Sequence, residues 1–491
     1  MIQKIIIGLC LYSVTIWGQP DKVKFNKIYP PNTGIKSSVA VKPLLDGYLT
    51  TGVYGVAGTY AGFYTEKIDS YGNALWQKSL DESASFYATF YGNSLFSTPD
   101  GNFLMVGIKG FDQYVNDFIA IKFSPDGDTI WKKTYPTPDR EGSVHAIQHH
   151  NDGYSIIGWT QHYYPDGSFD PARAYIIRIN EAGDTLWTRK LGSQSAAILY
   201  SCTTQDGGYL LSGYCHQAAT GFDMYAVKTD SLGTVEWEQT YGTPSHDGGC
   251  KVVQLPNGNM MLLGWKAGTS TQIYHIAAID PQTGYQSWQR NYVFNDITGN
   301  DGSPLIDDDG NIITIIYNFG GGDSKQNKLT KIDASNGDIL WQQIINSGLN
   351  PDDDYLRDIE PTPDGGYVLA GFNYNFPQSS WVVKVDSLGN TCGVADCDNY
   401  VEPIGVAAVE MEQVFSVYPN PAQDYLVIEN HSQEQSATFV LYDVLGRQVL
   451  SAVSHNQSVV SVEHLPSGVY LYQFLNPQNQ IVAYGKVSVV R

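Results

Sequence analysis

The chain has 491 residues, long enough for two or three domains, and its formal net charge is −21 with only 29 Lys and Arg residues. Nucleic-acid binding requires a basic surface, and it is not expected here because no Lys/Arg cluster stands out. Aromatic residues make up 13% of the chain and charged residues 16%, with 49 Gly and 23 Pro. These proportions predict an all-β protein rich in turns. No motif indicates a cofactor.

The N-terminus has the pattern of a secretion signal. Lys4 gives a positive start, residues 5–17 are mostly apolar, and Gly18 is a small residue before Gln19. This apolar run is shorter than the roughly 20 residues that a membrane-spanning helix needs, and no later run is long enough. The residue before Cys10 is Leu, whereas a lipoprotein signal has a small residue there. We therefore predict a cleaved signal peptide at 1–18, without a lipid anchor or a transmembrane segment.

An internal repeat occupies most of the chain, built from two alternating motifs. One motif is a D-G or N-G turn followed by an apolar run, and the other is a turn followed by a Trp. The first motif begins at Asp46, Asp100, Asp152, Asp206, Asn257, Asp309 and Asp364. The second motif ends at Trp76, Trp131, Trp187, Trp237, Trp288 and Trp341. Each repeat accommodates four short strands joined by tight turns, which predicts the blades of a β-propeller.

The two ends of the repeat region complete each other. The last of the seven repeats lacks its Trp strand, because Thr391 and Cys392 stand in that place. Phe25 lies 21 residues before Asp46, the same separation as between Trp131 and Asp152. The N-terminal strand is therefore expected to pair with the last blade and close a seven-bladed propeller without leaving an open edge.

Pieces of the repeat are similar to known propeller families. The segment SPDGDTIW at 124–131 resembles the Asp-box turn of sialidase-type propellers, and AIDPQTGYQSW at 278–288 resembles the Trp-docking motif of quinoprotein-type propellers. Both motifs are structural in those families, so they imply no chemistry here. The whole repeat most resembles the propellers of secreted Bacteroidetes proteins.

The last segment of the chain has a different pattern, with strand alternation and Pro/Gly turns that predict a small Ig-like β-sandwich. Four segments occur there in order, at 417–430, 441–450, 465–474 and 485–490, and they resemble the type A C-terminal sorting domain of the Bacteroidetes type IX secretion system. The matching residues are Tyr418, Pro419, Asn420, Pro421, Asp443, Gly446, Arg447, Ser467, Gly468 and Tyr470. The resemblance implies export by the type IX secretion machinery to the cell surface or the medium, via the periplasm. The predicted organisation is a signal peptide at 1–18, a propeller at 19–398, a linker at 399–413 and a sorting domain at 414–491.

Candidate chemical sites are few. Export favours a disulfide between Cys392 and Cys397, whereas Cys202, Cys215 and Cys250 form an odd set that the sequence does not pair. His145 and His149 share one face of a strand and could bind a metal if a third ligand converged, but a polar strand that lines the channel is the favoured explanation. The acidic run at 307–309 falls in a recurring hairpin turn, and the one at 352–354 could bind calcium. No catalytic constellation is recognised, and no metal site is predicted.

Variable loops offer the best candidate surface. The connections after each second strand and between blades vary in length, and these two sets share one face of a propeller. An aromatic residue recurs just past the second strand, and the longest loop adds two more. The predicted ligand-binding residues are Trp159, Tyr163, Tyr164, Tyr214, Trp265, Tyr317 and Phe372. The first hypothesis is a non-enzymatic binding or adhesion module for a glycan or another cell-surface ligand. The second is an extracellular hydrolase or lyase acting on carbohydrate, and packing between blades would also explain the aromatics.

Overall fold

The structure is a computed structural model. It describes residues 24–31, 34–56, 59–81, 94–110, 116–149, 153–164, 166–193, 195–217, 221–268, 272–293, 297–299, 302–320, 323–348, 354–374, 377–392, 415–430, 437–443, 447–454, 456–476 and 481–490. The predicted signal peptide, its cleavage site and the linker at 399–413 lie outside these residues. Every regular element in the described ranges is a β-strand, which confirms the all-β prediction.

The chain divides into two compact units, Met1–Glu402 and Pro403–Arg491. The division falls within the predicted linker, and the finer domain boundaries stay a prediction.

The strands of the first unit form successive four-stranded antiparallel blades. The first blade contains β2 (Ile35–Leu44), β3 (Gly47–Val56), β4 (Thr59–Asp69) and β5 (Ala74–Asp81). The second contains β6 (Leu95–Ser97), β7 (Phe103–Gly110), β8 (Asn116–Phe123) and β9 (Thr129–Tyr135). The third contains β10 (Arg140–His149), β11 (Gly153–Gln161), β12 (Arg173–Ile179) and β13 (Thr185–Leu191). One parallel bridge between Arg140 and Asn116 joins the second and third blades.

The remaining blades follow the same order. The fourth blade contains β14 (Ala196–Thr203), β15 (Tyr209–Gln217), β16 (Gly221–Thr229) and β17 (Val235–Tyr241), and the fifth contains β18 (Gly248–Gln254), β19 (Met260–Ala267), β20 (Gln272–Ile279) and β21 (Gln286–Val293). In the sixth blade β22 (Ile297–Gly299) and β23 (Leu305–Ile306) both pair with β24 (Ile312–Gly320), which is followed by β25 (Asp323–Ile332) and β26 (Ile339–Ile345). The seventh blade contains β27 (Asp354–Pro361), β28 (Tyr367–Asn373) and β29 (Ser379–Val385), with β1 (Phe25–Tyr29) as its fourth strand.

The N-terminal strand closes the last blade as predicted. β1 pairs antiparallel with β29, and Phe25 stands opposite Lys384. In the second blade Trp131 stands opposite Lys122 in the same way, so Phe25 occupies the place of the missing Trp. Tyr29 donates a hydrogen bond from its hydroxyl to Gly72 O at 2.7 Å, and Tyr241 makes the corresponding bond to Gly284 O at 2.7 Å.

An aromatic ring from each fourth strand packs over a turn glycine of the next blade. A Cβ added to Gly127 would lie 2.7 Å from the ring of Trp76, and one added to Gly72 would lie 2.8 Å from the ring of Phe25. The successive ring-on-glycine contacts are Trp76 on Gly127, Trp131 on Gly183, Trp187 on Gly233, Trp237 on Gly284, Trp288 on Gly337, Trp341 on Gly389 and Phe25 on Gly72. The last contact returns to the first blade, so the contacts form a closed circuit. The recurring Trp residues are thus structural.

Ion pairs fix the D-G turns to the third strands. Asp364 Oδ2 lies 2.8 Å from Lys384 Nζ, and Asp206 Oδ2 lies 2.6 Å from Lys228 Nζ. The same arrangement joins Asp46 to Lys67 and Asp100 to Lys122. In the sixth blade Lys331 Nζ lies 2.7 Å from Asp307 Oδ2 and 3.4 Å from Oδ2 of the turn residue Asp309. Each lysine is largely buried next to a carboxylate, and this pairing explains the polar residue in an otherwise apolar strand.

The second unit is a small β-sandwich. A three-stranded sheet contains β30 (Phe415–Tyr418), β31 (Tyr425–Asn430) and β34 (Gln457–Ser461). A four-stranded sheet contains β33 (Gln448–Ser454), β32 (Ala437–Tyr442), β35 (Gly468–Leu475) and β36 (Ile481–Val489). Ile428, Phe439 and Phe474 are buried in its core.

Candidate functional site

The strand directions define two faces of the propeller. In the third blade Arg140 at the start of the first strand pairs with Gln161 at the end of the second, and Ala174 at the start of the third strand pairs with Leu191 at the end of the fourth. These four strand ends therefore lie at the same end of the blade. We call this end the loop face, because it carries the connections after each second strand and between blades. The opposite end, which carries the short hairpin turns, is the turn face.

Two of the predicted ligand-binding residues pack against glycines of the first strand. A Cβ on Gly142 would lie 2.1 Å from the ring of Trp159, and one on Gly248 would lie 2.9 Å from the ring of Trp265. Trp159 also donates a hydrogen bond from Nε1 to Ser143 Oγ at 3.3 Å. Both indoles are half-buried, so each contributes to packing and keeps part of its surface open to solvent.

The predicted residues of the sixth and seventh blades are buried. Tyr317 is 1% exposed and donates its hydroxyl hydrogen bond to Leu356 O. Phe372 is 7% exposed and stacks on Tyr355 with ring centroids 5.3 Å apart. These two rings offer no open face for a ligand, because neighbouring side chains already cover them. The packing interpretation therefore applies to both.

Exposed aromatic rings lie one layer further out, in the connecting loops. In the loop at 162–172, the longest connection after a second strand, Tyr164 is 44% exposed and Phe169 is 60% exposed. Tyr163 bridges to Phe169 across this loop, and their ring centroids are 5.5 Å apart. The guanidinium of Arg140 lies 5.9 Å from the ring centroid of Tyr163. The loop therefore holds its aromatic side chains on an ordered support.

A second exposed cluster surrounds Phe222, a residue that the sequence analysis did not select. Phe222 is 39% exposed, and its ring centroid lies 5.1 Å from that of Tyr214, 5.5 Å from that of His216 and 5.2 Å from that of His246. Tyr214 is the half-buried member of this cluster. Because His246 comes from the connection to the next blade, the cluster joins strands of the fourth blade to that connection.

A third cluster occupies the seventh blade. Tyr374 is 50% exposed, and its ring centroid lies 5.2 Å from that of Phe372 and 5.5 Å from that of Tyr355. The guanidinium of Arg357 lies 5.6 Å from the ring centroid of Tyr355. Tyr374 lies two residues past the predicted Phe372, so a search that extended beyond the strand end would have found it.

Charged side chains support the longest loop. Asp139 is buried, and its Oδ1 lies 2.7 Å from His162 Nδ1 while its Oδ2 lies 2.6 Å from Lys190 Nζ. Burial favours a raised pKa for Asp139, but the hydrogen bonds from Lys190 and His162 hold it below its usual range. Neighbouring Glu141 is fully buried, and burial raises its pKa to about 8. Near neutral pH Glu141 is therefore largely protonated beside an ionised Asp139.

A cavity of about 570 Å³ lies on the turn face, away from the predicted surface. It is bounded by the ends of first strands and their turns, with Lys42, Phe96, Gln148 and Glu360 among its lining residues. Lys42 and Glu360 form an ion pair there, and the Lys42 ammonium lies 5.9 Å from the ring centroid of Phe96. The sequence analysis did not predict this cavity, which depends on residues from four blades.

The other candidate sites have the following surroundings. His145 is buried with its ring edge against Tyr200, and burial lowers its pKa to about 3. Within the described ranges, no three His, Cys, Asp or Glu side chains come together as a metal-binding group. Cys202, Cys215 and Cys250 are unpaired. The partner proposed for Cys392, Cys397, lies outside the described residues, and their disulfide stays a prediction.

Comparisons with known proteins support both units. Residues 416–487 match the family described as "Secretion system C-terminal sorting domain". Residues 172–386 match the family described as "Outer membrane protein assembly factor BamB". The C-terminal unit carries a type IX sorting domain. It indicates export to the cell surface or the extracellular space. Over the described residues, no helix has the length and apolar character needed to cross a membrane.

Solved structures with similar folds share little sequence with this chain. A protein from Lactobacillus plantarum is 14% identical, with 71% of this chain and 95% of that chain covered and a TM-score of 0.44. A protein of unknown function from Dyadobacter fermentans is 12% identical, with 61% and 95% covered and a TM-score of 0.45. The polysaccharide lyase Uly1 is 10% identical, with 77% and 94% covered and a TM-score of 0.47. A search of curated proteins finds no match.

The sorting motifs have structural roles within the sandwich. Arg447 Nε donates to Asp443 Oδ2 at 2.7 Å and its backbone N donates to Asp443 Oδ1 at 2.9 Å, so the pair pins a hairpin. Tyr470 donates its hydroxyl hydrogen bond to Pro466 O at 2.8 Å. Gly446 lies outside the described residues.

Proposed function

We propose that the propeller is a secreted, non-enzymatic binding module whose loop face holds an extended glycan. The observation that carries this proposal is the set of three exposed aromatic clusters, centred on Tyr164, Phe222 and Tyr374. Aromatic rings stack on the apolar faces of sugars, and a ligand that contacts several clusters must be extended. The sorting domain supports this setting, because it delivers the propeller to surfaces where glycans are abundant.

The clusters are suited to binding because their rings are held in place. Phe222 is supported by three neighbouring rings, and Tyr374 by two. An immobilised ring loses little conformational entropy when a ligand stacks on it. The half-buried Trp159 and Trp265 belong to the layer beneath, where their packing on Gly142 and Gly248 stabilises the loop face.

The test uses the exported protein, a polysaccharide array and single alanine variants of Tyr164, Phe222 and Tyr374. A stacked ring contributes about 1 kcal/mol, so we expect each variant to bind about fivefold more weakly with an unchanged melting temperature. Tyr71→Ala and Tyr285→Ala are matched controls, because these rings are 40% and 66% exposed in hairpin turns of the turn face. Equal losses in the controls, or no polysaccharide bound by the wild type, would refute the proposal.

A carbohydrate-active enzyme is the second candidate, favoured by the pair of Asp139 and His162. A buried carboxylate hydrogen-bonded to Nδ1 fixes the orientation of an imidazole, as general-base catalysis requires. His162 is about one-third exposed and stands beside Tyr164, with ring centroids 4.6 Å apart. A substrate stacked on Tyr164 would therefore lie near the imidazole.

The two candidates differ in a direct assay. Release of reducing ends from a bound polysaccharide by the wild type, lost in His162→Ala, would identify an enzyme. Binding without release identifies a binding module. Phe222→Ala further separates binding from catalysis, because this change removes an aromatic contact and leaves the side chains of Asp139 and His162 unchanged.

A further inference from the structure

The Tyr-Pro-Asn-Pro motif is fastened to the last strand of the sorting domain. Asn420 Nδ2 donates to Lys486 O at 3.2 Å, and Ser488 N donates to Asn420 Oδ1 at 2.9 Å. Two backbone bonds follow, from Ala422 N to Ser488 O at 2.7 Å and from Val490 N to Ala422 O at 2.8 Å. The Asn420 side chain thus extends a backbone ladder and places the motif beside residue 490.

This attachment creates a pocket of about 440 Å³ at the edge of the domain, which we call the motif pocket. It is lined by Pro419, Pro421, Gln423, Asp424, Tyr425 and Val490. Pro419, Pro421, the Tyr425 ring and Val490 are the apolar members of this lining. Tyr425 is 50% exposed and Val490 is 45% exposed, so the pocket is open to a partner.

We propose that the motif pocket is the surface by which a protein of the type IX export machinery recognises this domain, and that the partner inserts an apolar segment between Tyr425 and Val490. The type IX sorting domain indicates that such a partner exists, and the pocket joins the sorting motif to the last strand in one surface. Exposed aromatic and proline surface is costly to leave in water, and a protein partner would remove it from solvent. The proposal does not depend on the glycan hypothesis.

The sandwich offers a competing apolar surface that makes the proposal testable. Val453, Val469 and Leu471 are 57%, 47% and 51% exposed on strands of the four-stranded sheet, and none of them lines the motif pocket. A partner that recognised exposed apolar surface in general would use these residues as readily as Tyr425. A partner that recognises the motif pocket would not.

The experiment compares Tyr425→Ala with Leu471→Ala in the full chain expressed in its host. We expect Tyr425→Ala to accumulate in the periplasm, with at least a tenfold fall in the surface and medium fractions, while Leu471→Ala is exported like the wild type. Tyr425→Phe should be exported normally, because it retains the apolar ring. Melting temperatures of the purified variants establish that each is folded. Normal export of Tyr425→Ala, failure of Leu471→Ala or failure of Tyr425→Phe would overturn the proposal.

A second change tests the pocket without removing a ring. Val490→Asp places a charge at the pocket while leaving the backbone bond to Ala422 intact, and we expect the same periplasmic accumulation. A photocrosslinking residue at position 425 should form an adduct with a protein of the export machinery, whereas one at position 471 should not. Adducts from position 471 alone would identify the other surface and refute the proposal.

Discussion

Trp381 donates a hydrogen bond from Nε1 to Asn26 Oδ1 at 2.6 Å, and both side chains are buried. The bond joins the last repeat to the first strand of the chain, and Asn26 Nδ2 also donates to Asn346 O at 2.7 Å. The amide of Asn26 therefore links β1 to the blade that it completes and to the end of the preceding blade. Ring closure depends on polar contacts as well as on the strand ladder.

Loss of the Asn26 amide should destabilise the closure. Asn26→Ala leaves the Trp381 indole N–H buried without its partner, and we expect the free energy of unfolding to fall by about 1–3 kcal/mol. Lys27→Ala is the matched control, because Lys27 Nζ contacts Asn73 Oδ1 at the exposed surface and its loss should cost less than about 0.5 kcal/mol. Denaturant unfolding measures both. Removal of residues 22–30 should cause severe destabilisation or aggregation, and an unchanged melting temperature would contradict the closure.

The ring-on-glycine circuit predicts unequal costs for two similar substitutions. Gly127 and Gly101 have φ of 80° and 78°, so alanine at either position carries a backbone cost of about 1 kcal/mol. A Cβ at Gly127 would meet the Trp76 ring at 2.7 Å, whereas a Cβ at Gly101 meets nothing within 4 Å. We expect Gly127→Ala to be more destabilising than Gly101→Ala by at least about 1 kcal/mol. Equal midpoints in denaturant would show that the Trp ring yields without cost.

The turn ion pairs should differ in strength according to their burial. Lys384 is 2% exposed, and Asp364→Ala removes its carboxylate partner, which we expect to cost about 3 kcal/mol. Asp46→Ala removes the carboxylate that pairs with Lys67. This carboxylate is 65% exposed, and we expect its loss to cost less than about 1 kcal/mol. The double variant Asp364→Ala with Lys384→Met should recover much of the free energy of unfolding that Asp364→Ala loses. Similar effects of the two single substitutions would contradict this explanation.

Asp358 should make stability fall as pH rises. It is 1% exposed, and burial together with the charge of Glu360 raises its pKa to about 7, against the opposing charge of Lys42. The folded state holds this proton more tightly than the unfolded chain, whose Asp pKa is about 3.9, so stability is lost between about pH 4 and pH 7. Asp358→Asn should therefore gain stability relative to the wild type over that range and then level off.

Asp364→Asn is the control of opposite sign. Burial alone would raise the Asp364 pKa, but the hydrogen bonds from Lys384 and Thr362 hold it below its usual range. The stability that this carboxylate contributes is present above the unfolded pKa and is lost as pH falls, so the deficit of the variant should shrink in acid. Thermal unfolding across pH 2–8 measures both variants, because the Asp364 effect lies below the unfolded pKa of about 3.9. Parallel curves for Asp358→Asn and wild type would refute the assignment.

The sequence by itself determined the strands, the turns and the closing strand of the propeller. These features depend on local turn chemistry and on a fixed separation between motifs, so Phe25 could be matched to Trp131 before any contact was known. The ion pairs were also present as a pattern, since Lys122 and Lys228 each follow their aspartate by 22 residues. The sorting motifs were visible for the same reason, because each is a short run at a fixed place in the order.

Only the tertiary structure decided which aromatic rings are open to a ligand. Trp159, Tyr214, Trp265, Tyr317 and Phe372 occupy equivalent places in the repeat, yet Tyr317 and Phe372 are buried while the others are half-buried. The hydroxyl of Tyr317 is bonded to Leu356 O of the next blade, whereas Phe372 packs against Tyr355 and Tyr374 of its own blade. These contacts cannot be seen from the place of each ring in the repeat. The contact of Phe222 with His246 likewise depends on the tertiary structure, because His246 comes from the connection to the next blade.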